Sequence, residues 1–163
     1  MKTSVRIALI ACFAFIASSA LFAQDWTKAQ KEVWQVVTDS WAKTQTGDLD
    51  GMFATIHEKY QGWNNESPLP ISKETVMKWY KSMKETSKVD DYELNPARIV
   101  VTDNAAVVDY YFWLKETSTV GEKKEVKEYY GKNAEFYVKE GGKWLLLGDL
   151  TIYKEKGAGG EEK

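Results

Sequence analysis

Three long β-prone runs in the second half of the chain restrict its fold more than any other feature. Ala105–Glu116 (AAVVDYYFWLKE), Val126–Lys139 and Lys143–Tyr153 are rich in β-branched and aromatic residues. A polar turn, Thr117–Glu122, separates the first two, and Gly141-Gly142 separates the last two. Runs of this kind split by glycine-bearing turns predict antiparallel hairpins. Gly131, inside the middle run, predicts a bulge, and bulges bend sheets. A bent sheet has a hollow side, which the rest of the chain must fill or cover.

The covering elements come first in sequence. Asp25–Thr46 reads as a helix: Thr27 and Gln30 have capping-box spacing, and Val33, Trp34, Val37 and Trp41 share one face. Gly47 ends it, and Asp48 caps a short second helix whose apolar residues Leu49, Met52, Phe53 and Ile56 recur at helical spacing. Tyr60–Trp63 is a short strand candidate, and Asn64–Pro70 has turn chemistry. Ser72 caps a third helix with Val76, Met77, Tyr80 and Met83 inward. Lys88–Leu94 and Arg98–Thr102 are two further strands, with Pro96 breaking the chain between them. Helices early and strands late predict an α+β domain with helices on one face of an antiparallel sheet.

The N-terminus reads differently. Lys2 and Arg6 precede an apolar run, Ile7–Ile16, followed by small residues to Ala20 and Ala23. This is the pattern of a secretory signal peptide, cleaved after Ala20 or, as favoured here, after Ala23, and the run is short for a bilayer span. Residues 1–23 are therefore expected to be a signal, 24–154 the domain, and 155–163 a disordered tail. Cys12 falls in the signal core, so the mature chain has no thiol or disulfide chemistry. It keeps 20 basic against 24 acidic residues, a net charge of −4 with the signs interspersed. Without a basic stripe, nucleic acid is excluded as the expected partner. One histidine and no cysteine leave only carboxylates, no two of them in a ligand spacing with His57, and no metal is expected. No dinucleotide fingerprint or phosphate-binding glycine loop is present, and no cofactor is expected.

The order and spacing of these elements resemble the nuclear-transport-factor-2-like (NTF2-like) superfamily, in its SnoaL-like and ketosteroid-isomerase-like branches. The resemblance rests on Gly47-Asp48-Leu49-Asp50-Gly51, on the strand Ala105–Tyr111 after Asp103-Asn104, and on Gly141-Gly142-Lys143-Trp144-Leu145-Leu146. It implies an NTF2-like cone: three N-terminal helices on a strongly curved antiparallel sheet. Many relatives form homodimers through the sheet. Ketosteroid isomerase needs an Asp base, with a Tyr and a protonated Asp to hold the oxyanion. Those positions fall here on Asn64, Ser40 and Ala134, with Glu66 a displaced alternative for the base. Chemistry of that type is disfavoured.

His57 is the only histidine. It can serve as a general base at the pocket mouth, or sit against the dipole at the end of the second helix. Strand alternation puts Val107, Asp109, Tyr111 and Trp113 on one face and Ala106, Val108, Tyr110 and Phe112 on the other. Facing the hollow, Asp109 is an acid/base candidate; facing out, it is a surface charge, the reading preferred because an unpaired buried charge is costly. Arg98 can pair with Asp109 or Glu135, or clamp an anionic ligand, and an exposed strand charge is the reading preferred. Trp41, Tyr60, Trp63, Asn64, Tyr111 and Tyr129 are the expected pocket residues. Trp41 also fits plain core, whereas Trp63 has less structural reason to stand in a polar loop.

The leading expectation is a secreted or periplasmic domain whose apolar pocket binds a small hydrophobic or amphipathic molecule, free of the membrane once the signal is removed. The alternatives are an isomerase, lyase or hydrolase with His57 as base and Asp109 or Tyr111 as partner, and a homodimeric interaction domain.

Overall fold

In the computed structural model, which describes residues 25–157, Thr27 opens the first helix, α1 (Lys28–Thr46). Its hydroxyl accepts from the Gln30 backbone N–H at 3.3 Å, and Gln30 Oε1 accepts from the Thr27 N–H at 2.9 Å. This reciprocal bonding satisfies two donors that a helix start otherwise leaves open. Thr27→Ala is expected to cost about 1 kcal/mol in urea unfolding, the usual worth of such a cap. Gly47, at φ 75°, closes the helix in the left-handed conformation that favours glycine.

Asp48 caps α2 (Leu49–Phe53), which buries Leu49, Met52 and Phe53. The helix stops three residues short of the expected Ile56. That side chain is buried, but from the first position of a strand, β1 (Ile56–Asn64). A single apolar residue at i+7 fits a helix and a strand equally, so spacing alone misplaced Ile56 and His57. A two-residue strand, β2 (Ile71–Ser72), follows, and Ser72 caps α3 (Lys73–Lys84) by accepting from the Thr75 N–H. Among the described residues there are three helices, and the third lies between strands. The expected block of three N-terminal helices is corrected to that extent.

Then come β3 (Ser87–Val101), β4 (Ala105–Val120), β5 (Lys123–Glu140) and β6 (Lys143–Glu155). The six strands form one sheet in the order β2-β1-β6-β5-β4-β3. β1 pairs with β6 in parallel and the other pairs are antiparallel, so the sheet is mixed where an antiparallel one was expected. The two strands expected on either side of Pro96 are one. Pro96 sits in edge strand β3, where its missing N–H faces no second neighbour, and the register shifts between Pro96 and Arg98. A second shift lies between Phe136 and Tyr137, where β6 carries one extra residue. These bulges, and another between Val89 and Asp91, curve the sheet. No shift occurs at the expected bulge site Gly131, which pairs in register with Phe112 and Tyr153.

The hollow face is covered in two places. Under α1, Val33 and Val37 meet Val108, Tyr110 and Phe112 of β4. Under α2 and α3, Met52, Phe53 and Val76 meet Ile56 and Tyr60 of β1. The convex face stays open: Tyr111 is 59% exposed, Phe136 45%, Ile152 42% and Leu150 41%, a density of apolar surface that isolated exposed residues do not produce. At the end of β6 the Lys156 N–H donates to the Glu128 carbonyl at 2.8 Å, so pairing runs past residue 154. The N-terminal 23 residues, Cys12 and the tail beyond residue 157 lie outside the described residues. No helix among the described residues is long and apolar enough to cross a membrane.

Candidate functional site

The two buried clusters stay distinct, with half-buried Leu146 packed against both. Between them a cavity of about 470 Å³ opens into the cone. Helix α1 gives it Ser40, Trp41 and Thr44; β1 gives it Tyr60, Trp63 and Asn64; and β4, β5 and β6 supply Tyr110, Asn133, Glu135 and Asp149. Strand alternation accounts for the last set. Glu135 is two residues from Asn133 and Tyr137, so all three share the inward face of β5. Asp149 is the residue directly across from Glu135 on β6.

Glu135 is buried, and its carboxyl is held by three donors. Oε1 accepts from the Tyr110 hydroxyl at 2.8 Å and the Asn133 amide at 3.1 Å, and Oε2 accepts from the Tyr137 hydroxyl at 2.6 Å. Tyr110 is fixed in turn, accepting from Trp41 Nε1–H at 2.9 Å and from the Asn133 amide at 2.8 Å. The Asn133 carbonyl oxygen accepts from the Thr151 hydroxyl. Asp149 Oδ1 accepts from the Tyr60 hydroxyl at 2.7 Å. Every partner of the two carboxyls is a neutral donor. Burial pushes the Glu135 carboxyl up to about 7, against the pull of the tyrosine hydrogen bonds, with the nearby Asp149 charge adding to the rise. Burial also raises Asp149. Burial first, then the carboxylates, raise Tyr60, Tyr110 and Tyr137, so these phenols remain protonated donors at neutral pH.

Trp63 and Trp79 line the cavity yet are 47% and 43% exposed, which puts them at its mouth. Trp63 Nε1–H donates to the Ser67 carbonyl at 2.7 Å, which sets the angle of the ring. Asn64 also lines the cavity, and its side-chain oxygen accepts from the backbone N–H groups of Glu66 and Ser67, so it shapes the loop as well. Tyr129 lines the cavity edge-on to Tyr153, at 5.9 Å between ring centres. Trp41 does two things: its ring packs on Phe112 at 5.3 Å, as a core residue would, and it borders the cavity.

Three of the residues weighed as site candidates lie elsewhere, Asp109 on the outer side that the sequence reading preferred for it. His57 is on β1 but outside the cavity lining; its Nδ1 accepts from the Lys59 N–H at 3.0 Å and its Nε2 lies 3.3 Å from Glu140 Oε1. Because the chain leaves α2 early, His57 sits in a strand rather than at a helix end, so the dipole reading is corrected too. Asp109 faces outward and accepts from Arg98 Nε at 2.6 Å. Tyr111 shares that outer face. Among the described residues no group of three histidine, cysteine or acidic side chains is placed to hold a metal.

No family model and no curated protein matches the sequence. Solved structures match in shape. A conserved protein from Planctomyces limnophilus superposes with a TM-score of 0.72 at 16% identity, over 78% of this chain and 98% of that one. A ketosteroid isomerase-like protein from Erwinia carotovora atroseptica gives 0.65 at 15% identity, covering 78% and 98%. A putative scytalone dehydratase from Novosphingobium aromaticivorans gives 0.63 at 10% identity, covering 80% and 88%. The chain has an NTF2-like fold.

Within the NTF2-like cone, the steroid-isomerase positions can be checked directly. Ser40 and Asn64 line the cavity, as does Glu66. Ala134 borders a shallow hollow on the outer face instead. Its neighbour Glu135 faces in, so a buried acid stands one residue from the position where the sequence placed none. Sequence reading also missed Tyr110, Asn133 and Asp149. One signal was available: each of Asp109, Glu135 and Asp149 interrupts an apolar strand. Which of them faces inward is decided by strand register, a non-local property.

Proposed function

We propose that this NTF2-like domain binds a small amphipathic molecule in its cone, with the apolar part against the aromatic walls and a polar group at the Glu135–Tyr110–Asn133 floor. The observation that carries this reading is the cavity itself. A cone meant only for packing would be filled by its own aromatic side chains; here they border open space with convergent polar groups at its base. Thr44→Trp would place an indole in that space. Wild-type protein is expected to take up one equivalent of the neutral fluorophore N-phenyl-1-naphthylamine, and Thr44→Trp to bind it at least about tenfold more weakly with an unchanged Tm. Equal binding by the two proteins would rule out the cavity as the site.

A second reading has its own support. A carboxyl that titrates near 7 can both give and take a proton at neutral pH, which is the requirement for acid–base catalysis. In that reading Glu135, not His57, is the acid/base of an isomerase or dehydratase type of reaction. Exchange of the α-protons of cyclohexenone in heavy water, followed by NMR, tests it. Acceleration by wild type should drop about 100-fold in Glu135→Gln, and no acceleration by wild type would remove this reading.

The exposed convex face fits a second copy of the chain. Tyr111, Phe136, Leu150 and Ile152 would meet their equivalents across a two-fold axis, flanked by the Arg98–Asp109 pair. Sedimentation should give twice the chain mass, and Phe136→Asp should give one. We further propose export: protein purified from its host should begin at Gln24 when its intact mass is measured.

A further inference from the structure

The Glu135–Asp149 arrangement is unusual in its charge. The two are direct cross-strand partners on the inward face, a placement that disfavours two like charges. Both reach the same cavity, together with Glu66 and Glu116. Among the described residues, no lysine, arginine or histidine lines it. Nearby cations are engaged elsewhere: Lys73 with the Ile56 carbonyl and Glu58, Lys43 with the Gly51 carbonyl, and Lys84 with the Gly47 carbonyl. Among the described residues, the carboxyl pair therefore has hydrogen-bond donors and no counter-charge.

The walls have matching chemistry. Trp63, Trp79, Tyr60, Tyr129 and Tyr153 bring aromatic rings to the same space. Ring faces attract cations, and aromatic enclosures are a recurrent way of holding organic ammonium groups. Neither feature alone would define a ligand. Acidic side chains at the floor and aromatic rings at the walls of one cavity both select positive charge on an apolar body.

We propose that the molecule this cavity takes is an organic cation: an apolar or aromatic body bearing one protonated amine, seated between Glu135 and Asp149. The ammonium supplies the counter-charge missing from the pair. Its N–H groups donate to carboxylate lone pairs that the tyrosines and Asn133 leave free, since each carboxylate offers about four acceptor sites. The body lies against the indole and phenol rings.

This proposal rests on the small-molecule reading above, and its test separates the two. Binding is measured by tryptophan fluorescence and calorimetry at pH 8 with three matched probe series, the 2-phenylethyl and n-octyl ammonium ions, the corresponding neutral alcohols, and the corresponding carboxylates. The ammonium ions are expected to bind at least tenfold more tightly than the alcohols, and the carboxylates more weakly still. Asp149→Asn and Glu135→Gln, each with its Tm checked, should remove most of the preference for ammonium over alcohol. If one of the two variants fails to fold, the other carries the test. Ammonium and alcohol binding equally, both blocked by Thr44→Trp, would overturn the cation proposal and leave the binding reading intact. Carboxylates binding most tightly would overturn it as well. No probe sensitive to Thr44→Trp would overturn both.

Discussion

Glu135→Gln is expected to flatten the pH dependence of this protein's stability. The Glu135 carboxyl titrates near 7 when folded, against an ordinary value of 4.5, because burial penalises its charge. Between those values the folded chain holds a proton that the unfolded chain has released. Unfolding then sheds a proton, and stability falls as pH rises. The contribution is fully present below about pH 4.5 and is lost as pH climbs through 7. A difference of that size corresponds to about 3 kcal/mol. Asp149, also raised by burial, acts in the same direction. Glu58, Glu74 and Glu128 are lowered by lysine partners, but they are exposed and solvent screens them. Wild type should therefore melt about 10 °C higher at pH 5 than at pH 8, given the usual conversion for a domain this size. Glu135→Gln should lose most of that slope. A wild type more stable at pH 8 than at pH 5, or a variant with the wild-type slope, would show that burial does not govern this carboxyl.

The same residue shows where sequence reading stops. Features set by a few neighbouring residues were legible: the Thr27 and Ser72 caps, the left-handed Gly47, the Gly141-Gly142 turn and the alternation along Ala105–Phe112. Their physics is local. Pro96 was read as a strand break because its chemistry forbids central ladder pairing, but its place on the sheet edge was not written near it. His57 was assigned to a helix end because Ile56 satisfied a helical period by coincidence. The polar floor of the cavity depends on three strands meeting in register. Alternation identified the two faces of β4, but only the pairing of Glu135 with Val108 and Asp149 puts that acid inside, while the Asp109–Arg98 pair holds Asp109 outside.

Gly131→Val is the second large expected loss, and strand propensity points the other way. Valine suits a strand better than glycine, so propensity alone predicts a gain. Gly131 is not among the residues at positive φ, so conformational freedom does not explain it. The reason is steric. A Cβ built on Gly131 would fall 2.7 Å from the Ile152 carbonyl oxygen and inside contact distance of the Phe112 ring. Phe112 lies across Gly131 from the neighbouring strand, on the face that lines the cavity. The ring can rotate, whereas the Ile152 carbonyl belongs to the paired backbone of β6 and cannot. Overpacking of this kind costs about 3 kcal/mol, a Tm drop of about 10 °C. Adding Phe112→Ala should return the part due to the ring, about 1–2 kcal/mol of coupling in a double-mutant cycle, and leave the backbone part. Phe112 also packs on Trp41, which donates to Tyr110 and so reaches the carboxyl floor. Displacing the ring should therefore weaken probe binding at temperatures where the variant is still folded. Full stability in Gly131→Val would mean that the strands can separate locally at no cost, and that Phe112 does not hold the cavity wall in place.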